Sequence, residues 1–186
     1  MAYQPIEDYG LIGDIHTAAL VGRDGSIDWL PWPRFDAPSV FGAILDEKKG
    51  GHYRIAPAVD GVRAKQMYWP ETNILVTRFL CPESVVEVTD YMPVAREEAE
   101  HEQRLVRKVE MVRGTQVMEL ECLPGFDYAR EAADVHPIDR GACFYGSELS
   151  LGLSSPVPLE SIERGGLSGA AASFELREGE TVTFVL

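Results

Sequence analysis

Short runs of alternating apolar and polar residues, broken by turn signals, dominate this chain. Met118, Leu120 and Cys122 alternate with Glu119 and Glu121, and Leu149, Leu151 and Leu153 recur at every second position. A period of two sends alternate side chains to one face, so such runs predict half-buried β-strands. Several runs flank turn residues. His16 to Val21 and Ser26 to Leu30 enclose Gly22-Arg23-Asp24-Gly25, and an Asp-Gly pair between apolar runs predicts a hairpin. Asn73 to Leu80 and Ser84 to Tyr91 enclose Pro82-Glu83 in the same way. Arg104 to Val112 and Thr115 to Leu123 enclose Arg113-Gly114, and Ser173 to Leu176 and Thr181 to Leu186 enclose Arg177-Glu178-Gly179-Glu180. Short strands at this spacing predict a sandwich or barrel.

Helix is scarce in the pattern. Ser39 is placed to cap a short turn with Val40, Phe41, Ile44 and Leu45 on one face, closed by Gly50-Gly51. The acidic stretch Arg96 to Glu102 reads as a solvated loop or helical turn. Gly165-Gly166 and Gly169 read as turns. No internal repeat or low-complexity linker divides the chain, so residues 1–186 are expected to form one domain. The final Phe184-Val185-Leu186 lies inside a strand pattern, as expected for part of a longer protein.

Composition narrows the partners. The 186 residues are 45% hydrophobic and 25% charged, enough for a substantial core. Thirty acidic residues against 17 basic ones give a formal net charge of −13. Such a surface repels phosphate backbones and anionic headgroups, so neither nucleic acid nor membrane is an expected partner. No apolar run approaches the ~20 residues that span a bilayer, and Met1 to Pro5 lacks a basic segment followed by an apolar stretch, so no signal peptide and a cytoplasmic setting are expected. Cys81, Cys122 and Cys143 are scattered and odd in number, as reduced core thiols are.

The segment Asp28-Trp29-Leu30-Pro31-Trp32-Pro33-Arg34-Phe35-Asp36 is the richest in chemistry. Its two prolines predict a stiff, extended loop rather than a strand. Trp29, Trp32 and Phe35 could stack on sugar rings while Arg34 and Asp36 bind hydroxyl groups. The other reading is structural, with the aromatics closing the sandwich end and Arg34 pairing with Asp36. Asp8, Asp14, Asp24, Asp28 and Asp36 include no pair of fixed separation such as glycosidases require, and a role in turns accounts for them. His16, His52, His101 and His136 show no ligand spacing, so no metal is expected. No phosphate loop, nucleophile elbow or dinucleotide fingerprint is present, and no cofactor is expected.

Several segments in order resemble one family. Pro5-Ile6-Glu7-Asp8-Tyr9-Gly10-Leu11-Ile12-Gly13-Asp14 runs into Thr17 to Val21, then Asp24 to Leu30, then Trp32 to Asp36. Gly50-Gly51, Thr72 to Leu75, Val88 to Pro93 and Phe126-Asp127-Tyr128 follow. The set resembles the N-terminal domain of bacterial and archaeal glycoside hydrolase family 15 proteins, the glucoamylase-like and trehalase-like enzymes. Ile15 and Pro31 stand where that pattern has cysteine, and Pro124 to Arg130 replaces a more basic, glycine-containing version.

The resemblance implies an all-β fold, an antiparallel β-supersandwich of two packed sheets. It places catalysis in a following (α/α)6 barrel of the same polypeptide, where two glutamates invert an α-glucoside such as trehalose or a malto-oligosaccharide. No catalytic residue is then expected within residues 1–186, and the isolated chain is expected to be inactive. Trp29, Trp32, Arg34, Phe35 and Asp36 become the substrate-rim or interdomain candidates. Two other classes compete with this reading. One is a freestanding carbohydrate-binding module; the other is a small β-sandwich enzyme of epimerase or mutarotase type, which would need a His–carboxylate pair in a pocket.

Overall fold

The computed structural model describes residues 3–94 and 103–186, and the stretch Arg96 to Glu102 lies outside them. Two eight-stranded antiparallel sheets pack face to face. Sheet one runs in space as β1 (Tyr9–Gly13), β2 (Ala18–Gly22), β3 (Ser26–Pro31), β5 (His52–Pro57), β10 (Thr115–Leu123), β16 (Leu167–Arg177) and β15 (Glu160–Arg164). The short β4 (Ser39–Phe41) pairs with β3 off this path. Sheet two runs β12 (Asp134–Ile138), β13 (Gly141–Tyr145), β14 (Ser150–Ser154), β17 (Thr181–Val185), β9 (Val106–Arg113), β8 (Val85–Tyr91), β7 (Leu75–Leu80) and β6 (Arg63–Tyr68). The two-residue β11 (Glu131–Ala132) lies against Gly125 and Phe126. Of the sandwich or barrel that the alternation predicts, the fold is the sandwich, the all-β form that the family resemblance implies.

The inward positions carry the pattern. Met118, Leu120 and Cys122 of sheet one and Val86, Val88, Val109 and Met111 of sheet two are buried in one core. Phe174 and Phe184 meet at a centroid distance of 5.6 Å. The β2–β3 and β7–β8 hairpins form as the turn signals predict.

Two other expected strand pairs take a different form. β9 and β10 flank Arg113-Gly114 but belong to different sheets, and so do β16 and β17. β9 pairs with β17 in sheet two, while β10 pairs with β16 in sheet one. One two-stranded ribbon thus folds over the edge of the sandwich. At the corner Gly179 N donates to Met111 O at 2.9 Å and Gly114 N donates to Glu178 Oε2 at 3.1 Å. Gly114 has φ +80°, and a Cβ there would lie 2.8 Å from the Glu83 carbonyl. A glycine turn between apolar runs looks the same in sequence whether the chain returns to its sheet or crosses to the facing one.

Three local expectations are corrected. Ser39 does not cap a helical turn, because Ser39–Phe41 is strand β4 and Leu45 is exposed. Pairing with β3 satisfies the backbone there, whereas a one-turn helix would leave most of its polar groups unmet. Asp28 to Pro31 is not loop but the second half of β3, which pairs with β2, β4 and β5. Gly169 sits inside β16, where a Cβ would lie 2.2 Å from the Cys122 carbonyl, so close strand approach and not a turn requires it.

A buried ion pair joins the sheets. Arg107 on β9 and Asp90 on β8 are register partners with fully buried side chains. Arg107 Nε donates to Asp90 Oδ1 at 2.8 Å and Nη2 reaches Oδ2 at 3.3 Å. The rest of the fork crosses the sandwich, with Nη1 donating to Tyr53 O at 2.7 Å and Nη2 to Gly25 O at 2.8 Å. The guanidinium also stacks 4.7 Å from the Tyr53 ring centroid. The Tyr53 hydroxyl is itself buried without a hydrogen-bond partner among the described residues.

These neighbours predict opposite outcomes. Asp90→Ala leaves the guanidinium buried and uncompensated and should cost about 3–5 kcal/mol of unfolding free energy. Tyr53→Phe removes an unmet hydroxyl, keeps the ring, and should leave stability unchanged or raise it by about 1 kcal/mol. Denaturant unfolding of the two variants checks both signs, and a large loss in Tyr53→Phe would contradict the assignment.

Candidate functional site

The segment from Trp29 to Asp36 splits into three parts. Trp29, on β3, is half-buried and turns toward Tyr128, with ring centroids 6.4 Å apart. Trp32 is buried at 8% exposure and so is not an open stacking platform. Arg34, Phe35 and Asp36 form the exposed tip. Arg34 Nε donates to Asp36 Oδ1 at 3.0 Å and Nη2 to Oδ2 at 3.3 Å, and this contact holds the Asp36 carboxyl below the usual range. Phe35 is 61% exposed, and its N–H donates to His16 O at 2.9 Å. That bond ties the tip to the β1–β2 turn, where Ile15 is 76% exposed at φ +72°. A β-branched residue in the left-handed region is an outlier that its surroundings must enforce.

Trp32, Pro33 and Pro38 form one wall of a cleft of about 560 Å³, and Phe126, Asp127 and Glu131 form another. The second wall carries backbone strain. Asp127, Tyr128 and Ala129 stand in succession at φ +50°, +58° and +60°, a left-handed turn made without glycine. Each such residue costs about 1–2 kcal/mol in isolation. Arg130 holds the turn, with Nη2 donating to Asp127 Oδ1 at 2.9 Å and Nε to Asp127 O at 3.0 Å. Its guanidinium lies 5.6 Å from the Tyr128 ring centroid. In the sequence Phe126-Asp127-Tyr128 stands out only through the family resemblance, and no local signal joins it to Trp29 and Trp32 or marks a left-handed turn without glycine.

The five aspartates have separate roles. Asp8 pairs with Arg23 at 2.6 Å. Asp14 Oδ1 accepts from the N–H groups of His16 and Thr17, and Asp24 Oδ1 from Ser26, both as turn residues do. Asp28 departs from that expectation. Val21 pairs with Ile27 and Leu20 with Trp29, so Asp28 is the extra residue of a β-bulge. It is buried and accepts from the Tyr9 hydroxyl at 2.7 Å. Burial raises its pKa, against the opposing Tyr9 hydrogen bond. Burial also lowers the pKa of His52, against the pull of Glu121, Asp28 and Asp24 and with a smaller push from Arg54.

Among the described residues no three His, Cys, Asp or Glu side chains are grouped as a metal would need. No helix there is long and apolar enough to cross a membrane.

Two outcomes follow. Ala129→Gly should stabilise the chain by about 1 kcal/mol, since glycine adopts positive φ without penalty, and thermal or denaturant unfolding reads it. His52 has a folded pKa below its unfolded value of about 6.5, so the unfolded chain takes up the proton first on acidification. Its contribution is intact above that value and lost as pH falls below it. The stability of the wild type should therefore fall relative to His52→Gln between about pH 7 and pH 5; a difference that does not change with pH would contradict a neutral, half-buried imidazole.

Known proteins align with the chain along its length. The family model described as trehalase-like, N-terminal matches residues 1–186. The trehalase of Mycobacterium tuberculosis is 32% identical over 99% of this chain and 30% of its own length. The trehalase of Thermoplasma volcanium is 33% identical over 84% of this chain and 26% of its own length. That of Mycolicibacterium smegmatis is 36% identical over 70% of this chain and 22% of its own length. The chain thus spans less than a third of each of these relatives. With a full-length family match on an all-β sandwich, the chain belongs to the trehalase-like N-terminal domain family.

Proposed function

We propose that residues 1–186 are the N-terminal domain of a family 15 glycoside hydrolase that cleaves α-glucosidic bonds, trehalose first. In this reading the domain does no bond-breaking itself. It packs on an (α/α)6 barrel supplied by the same polypeptide, and the Trp29–Asp36 segment borders that barrel's substrate opening. The observation that carries the reading is the family match over the whole chain, joined to trehalases three to four times its length.

The tip of the segment supports the interdomain role. Ile15 and Phe35 are exposed on two loops tied by a backbone hydrogen bond, and exposed apolar side chains on a constrained surface suit a partner. Trp32 enters as the buried wall that fixes the loop, while Trp29, Arg34, Phe35 and Asp36 remain the residues nearest the proposed contact. Cys81 and Cys122 are buried unpaired thiols and Cys143 is half-buried and unpaired, which supports a reducing, cytoplasmic setting.

The test is kinetic and uses the enzyme containing the barrel. The Arg34–Asp36 pair is exposed, so Arg34→Ala should leave stability almost unchanged. If the loop borders the substrate, Arg34→Ala and Phe35→Ala should lower kcat/KM for trehalose by about tenfold or more, the size of one lost transition-state contact. Near-normal activity in folded variants would leave the loop as scaffold. The 186-residue chain alone should not hydrolyse trehalose; turnover scaling with its concentration would overturn the division of labour.

A further inference from the structure

A second cleft opens where β1, the β2–β3 turn and the start of β5 meet, with a volume of about 480 Å³. Its walls include Tyr3 and Tyr9, the carboxylates of Asp24 and Asp28, His52 and Arg54. None of these residues belongs to the Trp29–Asp36 rim. We propose that this cleft is a binding site for a neutral, hydroxyl-rich ligand, a mono- or disaccharide, separate from the site where hydrolysis takes place.

The first argument is preorganisation. The Tyr9 hydroxyl holds Asp28 at 2.7 Å. Gln4 Nε2 donates to Asp24 Oδ1 at 2.7 Å, and Ser26 Oγ donates to the same oxygen at 2.6 Å. The bulge at Asp28 turns that carboxylate into the cleft instead of along the ladder. Side chains fixed before a ligand arrives lose little freedom on binding.

Charge then selects the ligand class. Asp24, Asp28 and Glu47 disfavour an anion, and Arg23 and Arg54, the latter 3.9 Å from Asp24, disfavour a cation. A hydroxyl group both donates and accepts, so it can satisfy carboxylate and guanidinium at once. His52, kept neutral by burial, also offers one donor and one acceptor. The rings of Tyr3 and Tyr9 supply faces of the kind that pack against the C–H side of a sugar. The volume falls within the ~300–1,000 Å³ range of small-molecule sites, and carboxyl and imidazole groups perturbed by burial in one cleft are common at such sites.

The experiment is a titration of the 186-residue chain with trehalose and maltose, followed by the His52 imidazole resonances, assigned through His52→Gln. Saturable shifts at millimolar sugar are expected. Asp28→Asn and Arg54→Ala should each raise Kd at least about tenfold, the loss of one hydrogen bond to a charged group. Tyr9→Phe keeps the ring, frees Asp28, and guards against misfolding of the other variants. Phe35→Ala, at the exposed tip of the rim segment, should leave this Kd unchanged, so the result does not depend on the rim reading. Absence of saturable shifts up to about 50 mM, weaker than any affinity of use, would overturn the proposal. So would sugar binding unaffected by all three cleft variants, or tighter binding of spermidine or sulfate than of trehalose.

Discussion

A single guanidinium reaches both sheets. Arg107 lies in an inward-facing row with Leu105, Val109 and Met111, where an unpaired charge would be prohibitive. Asp90 neutralises it from the neighbouring strand, and the carbonyls of Tyr53 and Gly25 accept from Nη1 and Nη2. The carbonyls belong to sheet one and the ion pair to sheet two, so only one offset of the sheets satisfies the group. The contact contributes specificity more than net stability, since buried pairs roughly cancel their own desolvation. It also anchors the β2–β3 turn that presents Asp24, Ser26 and Asp28 to the second cleft.

The crossing ribbon fixes the other coordinate. Because β9–β17 of sheet two continues into β10–β16 of sheet one, sheet separation and strand register are set at a covalent corner. Loops far apart in sequence then converge. Residues 32–38 meet the strained 127–129 turn across one cleft, and the β1–β2 turn lies against the same loop. Strain at Ile15 and at Asp127 to Ala129 is tolerated because strands on either side are already paired.

Much of this was legible, and the failures have physical causes. Alternation identified β10 and β14 because each has one wet and one dry face. β6 and β12 were missed because they are largely exposed and their residues do not alternate in polarity. Two corners read as hairpins because turn chemistry reports a reversal of direction and not the sheet that receives it. The Arg34–Asp36 contact, one of two readings of that loop, forms because two residues of spacing bring the groups together in a tight loop. Trp32 was assigned to the right loop, but sequence offers no measure of its burial. Arg107 and Asp90 could have been found: each continues an inward apolar row, Leu105-x-Arg107-x-Val109 and Val86-x-Val88-x-Asp90, with opposite charge on neighbouring strands.

The buried aspartates separate scaffold from site. Asp90 is matched by a full positive charge, so its capacity is spent inside the sandwich. Asp14 accepts two backbone N–H groups at the β1–β2 turn, where a carboxylate replaces missing ladder bonds. Asp28 is held instead by a neutral phenol, on a bulge, at the wall of an open cleft, next to a histidine that burial keeps uncharged. No local folding requirement explains that placement, because a serine or asparagine would serve the bulge with less desolvation. A carboxylate held by neutral hydroxyl donors at the wall of an open cleft is suited to receive hydroxyl groups from outside.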